Sequence, residues 1–160
     1  MGTVSRPAED ICSIQRTLDL IGDRWTLLIL RDVFRGVRRF GQIHDDLGIA
    51  RNLLAGRLSR LVDHGILERV QYQARPVRHE YRLTQKGRDL SPALIALMHW
   101  GDHWYAGDEP PTVLVHESCG SALDLVTTCP GCGEVVDPHQ IRSRPGPGLR
   151  ATSVPRQEHA

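Results

Sequence analysis

Apolar positions along the chain fall first into a helical and then into an alternating rhythm. Ile11, Ile14, Leu18 and Ile21 recur every three or four residues and Gly22 offers a left-handed stop, so a first helix is expected over residues 12–21. Asp23 can accept from the exposed N–H groups of a second helix, whose stripe of Trp25, Leu28, Ile29 and Val33 ends at Gly36. Phe40, Ile43 and Leu47 mark a short third helix that stops at Gly48. Leu54, Leu58, Leu61 and Val62 mark a fourth over residues 51–64 that stops at Gly65. Only Gly48, Ile49 and Ala50 separate these two. Short helices joined by so tight a glycine-containing turn make a helix-turn-helix, in which the second helix is the one built to enter a DNA major groove.

Beyond Gly65 the period changes to two. Val70 and Tyr72 alternate with Arg69, Gln71 and Gln73, and Tyr81 and Leu83 alternate with Glu80, Arg82 and Thr84, which predicts a pair of strands. The connection over residues 74–78 carries Pro76 between Arg75 and Arg78, so the pair reads as a hairpin with a basic loop, a wing. Thr84 sits where an N-cap would sit. Leu90, Leu94, Leu97, Met98 and Trp104 then carry one long helix towards Tyr105, with Pro92 acceptable only in the first turns or at a break. Residues 107–111 have the composition of a linker, and the Pro-, Gly-, Ser- and Arg-rich residues 142–160 are expected to be disordered. No internal repeat is evident in the sequence.

The expected fold class is therefore mainly α with a small β-hairpin (α+β): a winged helix-turn-helix domain over residues 1–106, a Cys- and His-bearing extension over 112–141, and a tail over 142–160. At 160 residues the chain is long enough for one such core and an appendage. No apolar run approaches the ~20 residues of a membrane span, and the first ten residues lack the apolar stretch of a secretion signal. A cytoplasmic protein is expected. Four cysteines, two of them in a Cys-x-x-Cys pair, fit metal or redox chemistry better than a disulfide framework.

A net charge of only +1 hides a strong asymmetry. Residues 1–50 carry seven Arg and seven acids, residues 51–90 carry nine Lys or Arg and four acids, and residues 91–160 carry four Arg and eight acids. A basic middle third is what a local phosphate-contacting surface requires, because affinity for a polyanion depends on the charges that reach it. Double-stranded DNA is thus the expected partner. Arg51, Asn52, Arg57 and Arg60 on or near the fourth helix are the candidate base readers, since Arg offers a fork to guanine and Asn can pair with adenine. Arg75, Arg78 and His79 of the wing would contact phosphate or the minor groove and fix register. The bland alternatives are a solvated helix face and a charged hairpin tip that keeps a strand edge soluble.

The extension contains His116-Glu-Ser-Cys119-Gly and Cys129-Pro-Gly-Cys132-Gly. These are metal-ligand spacings, and His116, Cys119, Cys129 and Cys132 could complete a tetrahedral Cys3His site for structural zinc, with His139 as a substitute fourth ligand. The rivals are a redox dithiol at Cys129 and Cys132 and a tail without metal. An enzyme built on these cysteines lacks a paired base and nucleophile and a phosphate-binding glycine loop, so no enzymatic activity is expected. A protein-interaction module that never meets DNA is the remaining alternative.

Read in order, Cys12, residues 20–31 (Leu-Ile-Gly-Asp-Arg-Trp-Thr-Leu-Leu-Ile-Leu-Arg), the turn Leu47-Gly48-Ile49-Ala50, Arg57-Leu58 with Leu61, residues 65–69 (Gly-Ile-Leu-Glu-Arg), and Glu80-Tyr81 with Leu83-Thr84 and Gly87 resemble the HxlR family of bacterial winged-helix transcriptional regulators. The resemblance covers about residues 10–105. It implies a homodimer whose first and last helices pair across the two-fold, with each wing beside a recognition helix; a repressor's role is the expectation for such a regulator. Cys12 matches the position that serves some members as a thiol sensor. A free cysteine is otherwise more often a small buried hydrophobe. Ser13 stands where many members have proline, and Ala50 stands where a capping Ser is common, which predicts a weakly capped recognition helix. Trp100, Trp104 and Tyr105 on the last helix are either dimer core or the wall of a crevice for a small-molecule effector.

Overall fold

The computed structural model describes residues 12–107 and 109–147. Ile21–Leu125 forms one compact unit, and the described residues on either side of it, 12–20 and 126–147, belong to a second. The expectation of disorder over 142–160 falls mostly outside the described residues.

Helix α1 (Ser13–Ile21) starts one residue later than the sequence rhythm predicts, and its Ile14 and Leu18, one turn apart, are both exposed. Helix α2 (Arg24–Phe34) is capped by Asp23, whose carboxylate accepts from the Thr26 N–H at 3.1 Å and from the Thr26 hydroxyl at 2.5 Å. Helices α3 (Phe40–Leu47) and α4 (Arg51–Asp63) follow, joined through Gly48 in the left-handed region at φ 60°. Ile29, Leu30 and Val33 of α2, Ile43 of α3, Ile49 of the turn, Leu54, Leu58 and Leu61 of α4, and Ile66 and Leu67 beyond it are at most 2% exposed. Full burial of such a side chain is worth about 1.5–3 kcal/mol, so this cluster is what orients α4.

Strands β1 (Leu67–Ala74) and β2 (Val77–Leu83) pair antiparallel from Leu67↔Leu83 to Ala74↔Val77, with a shift in register between Gln71 and Gln73. The turn is tighter than the five-residue loop expected from sequence. Pro76 lacks an N–H, but it sits at the tip beside Arg75, where no ladder bond is required, so pairing continues up to it. The hairpin is tied down by the Tyr81 N–H, which donates to the Arg38 carbonyl at 2.8 Å, and by the Thr84 hydroxyl, which donates to the Gly65 carbonyl at 2.6 Å.

The single long helix expected after Thr84 is a correction. It is divided into α5 (Gln85–Arg88), capped by Thr84, and α6 (Ser91–Gly101), with Pro92 in the first turn of α6, and it ends in a π-helical turn over Asp102–Ala106. A proline ring cannot continue a helix from the preceding turn, so the chain restarts where its missing N–H costs nothing. Along the end of this segment Leu97, Trp100, Trp104 and Tyr105 are all more than half exposed. Among the described residues no helix is long and apolar enough to cross a membrane.

Candidate nucleic-acid interface

Burial of Leu54, Leu58 and Leu61 turns the opposite face of α4 outward. That face carries Arg51, Asn52, Ala55, Gly56, Ser59, Arg60 and Asp63, all exposed. Ala50 at the N-cap accepts no hydrogen bond through its side chain, as its chemistry dictates, so the first N–H groups of α4 are not satisfied by the cap and remain on the same surface as Arg51 and Asn52. Such N–H groups attract a phosphate oxygen. Ala55 and Gly56 keep the middle of the face low, and sequence reasoning overlooked them because it looked only for polar groups. A β-carbon on Gly56 would meet nothing within 4 Å, so packing does not require glycine there. Glycine in a helix interior costs about 1 kcal/mol against alanine.

Arg57 differs from the other candidate base readers. It is half-buried, and its guanidinium Nε lies 3.2 Å from the Asp23 carboxylate at the start of α2. Burial pushes the Asp23 carboxyl up, but the hydroxyl and N–H of Thr26 and the charge of Arg57 outweigh it and hold the group below the usual value. Asp23 is therefore an anion that links the cap of α2 to the recognition helix.

The wing brings together more cations than the three predicted. Arg75 and Arg78 are exposed at its end, and His79 is half-buried with its Nδ1 3.0 Å from Arg69 Nη2. Arg39, at the start of α3, stacks its guanidinium 4.2 Å from the centre of the Tyr72 ring. Between α3 and the hairpin lies an open cleft of about 620 Å³ whose lining includes Arg39, Arg69, Tyr72, Arg78 and His79. Arg39 and Arg69 were missed, although the run Arg35-Gly-Val-Arg38-Arg39 was a signal for the first. The Gln42 carboxamide accepts from the Arg39 N–H at 3.3 Å and fixes the entry of the chain into α3 beside this cleft.

Cys12 is exposed, not the buried hydrophobe that a free cysteine more often is. In the extension, His116 Nδ1 lies 3.4 Å from Cys119 Sγ. The hydroxyl and N–H of Ser121 draw the Cys119 thiol below its usual pKa, and the N–H groups of Cys132 and Gly131 do the same for Cys129. His139 lies on the short turn Pro138–Gln140. Among the described residues no group of three or more His, Cys, Asp or Glu is gathered to hold a metal ion.

Comparison with known proteins agrees with this geometry. Residues 20–109 match the family model for the HxlR-like helix-turn-helix. The chain is 49% identical over 140 residues to the uncharacterized HTH-type transcriptional regulator Rv3095 of Mycobacterium tuberculosis, covering 87% of this chain and 89% of that one. It is similar to the crystal structure of PA1607, a candidate transcription factor, with TM-score 0.76 and 39% identity over 84% of this chain and 95% of the other. The redox regulator HypR in its oxidized form is 31% identical with TM-score 0.54, over 57% of this chain and 96% of that one.

Proposed function

We propose, from the premise that this chain belongs to the HxlR-like helix-turn-helix family, that it represses transcription as a cytoplasmic homodimer responsive to a thiol-directed or small-molecule signal. The protein is a DNA-binding transcriptional regulator with a winged helix-turn-helix. The observation that carries the DNA-reading assignment is the outward face of α4, where Arg51, Asn52 and Arg60 flank the low surface of Ala55 and Gly56. In this reading Arg51 and Asn52 contact base edges, Arg60 contacts base or phosphate, and Arg75, Arg78 and His79 hold the backbone. Its activity is binding, and catalysis has no part in it.

Support for the homodimer comes from two helices considered separately. Ile14 and Leu18 line one side of α1, and Leu97, Trp100, Trp104 and Tyr105 lie on α6 and the π-helical turn that follows it, all more than half exposed. Large exposed apolar side chains at helical spacing mark a surface that another molecule covers. The exposure of Cys12 and the similarity to a redox regulator support a thiol-directed signal. For a small-molecule effector, the open groove of about 320 Å³ lined by Met98, His99, Asp102, Val113 and Leu123 is the place of choice.

The test is fluorescence anisotropy with DNA from upstream of the protein's own gene, at several salt concentrations. Steep salt dependence, competition by specific over random DNA, and loss of that preference in Arg51→Ala and Asn52→Ala are expected. Salt-insensitive behaviour with no preference would instead favour a protein-interaction module. Sedimentation of Trp100→Glu should give monomers if α6 forms the dimer seam. Cys12→Ser should keep its DNA under diamide while the wild type releases it, and release by both would remove Cys12 as the sensor.

A further inference from the structure

The hairpin is irregular at one place. Gln71 pairs with His79 and Gln73 with Arg78, so Tyr72 is the extra residue of a β-bulge in β1. In a regular strand, residues three apart face opposite sides, and Tyr72 would turn away from Arg69. The bulge brings it round. Arg69 and Tyr72 of β1, with His79 and Tyr81 of β2, all line the cleft of about 620 Å³ between the hairpin and α3. Tyr72 there meets Arg39, whose guanidinium carbon lies 4.2 Å from the ring centre. A ring stacked under a guanidinium holds the cation without using its N–H donors. The two walls are tied by the Tyr81 N–H, which donates to the Arg38 carbonyl at 2.8 Å.

Three arginines, Arg39, Arg69 and Arg78, share this cleft. Among the described residues none of the three forms an ion pair with a carboxylate. Asp45 is the one acid among the described lining residues, and its Oδ1 lies 2.8 Å from His44 Nδ1. Arg69 Nη2 stands 3.0 Å from His79 Nδ1, and because a guanidinium can only donate, that ring nitrogen accepts. The ring proton of His79 is therefore on Nε2, which adds a donor. On the other wall the lining includes Gly41 and Gln42, in the first turn of α3. Arg39, the N-cap, carries no acceptor in its side chain and cannot satisfy the first N–H groups of that helix. Guanidinium forks, an imidazole N–H and the first amides of a helix all suit the oxygens of an anion, and a bound anion offsets the repulsion among the cations.

We propose that this cleft is a phosphate site, in which Arg39, Arg69 and Arg78 take the oxygens of one phosphate group and the bulged Tyr72 is the positioning residue that holds Arg39 for it. The group comes from the backbone of DNA lying along α4 and the wing, or from a small phosphorylated molecule in solution. Only the first source rests on the DNA-binding reading.

For the first source, the full chain is bound to its upstream DNA carrying single methylphosphonates, each of which removes one backbone charge. One position per bound protomer should weaken wild-type binding by about tenfold, the order of one charge-assisted hydrogen bond. Arg39→Ala should weaken binding to unmodified DNA by the same factor and be indifferent to the methylphosphonate at that position. Tyr72→Ala should behave as Arg39→Ala does, whereas Tyr72→Phe, which keeps the ring, should behave as wild type. For the second source, inorganic pyrophosphate added to DNA-free protein at constant ionic strength should shift the Arg69 Nε–H resonance saturably in wild type and not in Arg39→Ala. Coupling between Arg39 and one methylphosphonate assigns the group to the DNA backbone, and a pyrophosphate response without that coupling assigns it to a small molecule. Identical methylphosphonate profiles in wild type and Arg39→Ala, together with no saturable response to pyrophosphate, overturn the proposal, and a Tyr72→Phe variant as weak as Tyr72→Ala removes the positioning role. If the chain binds no DNA at all, the DNA-binding reading fails and the pyrophosphate measurement alone decides this one.

Discussion

Arg57 of the recognition helix meets Asp23, the cap of α2, at 3.2 Å, with the Asp23 carboxylate already accepting the Thr26 N–H at 3.1 Å. One carboxylate thus caps a core helix and pairs with a side chain of α4. Arg57→Ala should lower stability by about 0.2–1 kcal/mol, the usual worth of a partly exposed pair. It should weaken binding to all sequences alike, whereas Arg51→Ala or Asn52→Ala should change which base is preferred by about 1–3 kcal/mol. Urea denaturation and binding to a set of single-base operator variants distinguish the two kinds of effect.

The same carboxylate gives a sign for pH dependence. The folded-state pKa of Asp23 is depressed, so its contribution is fully present above the unfolded carboxylate value of about 3.9 and is lost as pH falls through the lower folded value. Asp23→Ala should cost about 0.5–2 kcal/mol at neutral pH, the range for losing an N-cap. The gap to wild type should narrow only in acid below that carboxylate value. Asp32 runs the other way. It is fully buried, and desolvation raises its pKa against the opposing contacts of Arg31. Its ionised form therefore costs stability at neutral pH, and that cost disappears as pH falls through its raised folded value. Thermal unfolding of wild type, Asp23→Ala and Asp32→Asn across acid pH measures both slopes.

Gly56→Ala should raise stability by about 1 kcal/mol, because its β-carbon meets open space and alanine is the better helix former. Binding to DNA should weaken in the same variant. A more stable protein with undiminished affinity would show that the low surface at Ala55 and Gly56 is not used.

Gly87→Ala should do the reverse. A β-carbon there would collide with the backbone carbonyl of Ile66, where the end of the hairpin packs against α5. Overpacking of this kind costs about 1–3 kcal/mol. A lowered melting temperature is expected, and an unchanged one would mean that the hairpin end shifts freely.

Arg78→Ala in the wing should weaken binding to specific and random DNA by the same factor and reduce the slope of log affinity against log salt by about one. Arg39→Ala, at the cleft between α3 and the wing, should behave in the same way if a phosphate sits beside the Arg39 and Tyr72 pair.

Much of the fold was legible in the sequence because its signals are local. Glycines at 36, 48 and 65 end helices where a positive φ is needed, Asp23 and Thr84 cap, and period three-to-four gives way to period two at the hairpin. The order of those signals was enough to specify a winged helix-turn-helix and the exposed Arg51, Asn52 and Arg60. What the chain's rhythm could not contain were relationships set by packing between distant segments. It could not show that Arg57 turns to Asp23, that Arg39 and Arg69 join the wing residues, or that Gly56 lies over open space while Gly87 has no room for a methyl group. Local propensity and periodicity decide which elements form, since they depend on neighbours along the chain. Which side chains of those elements meet is decided by burial of a shared core, and only the folded chain carries that information.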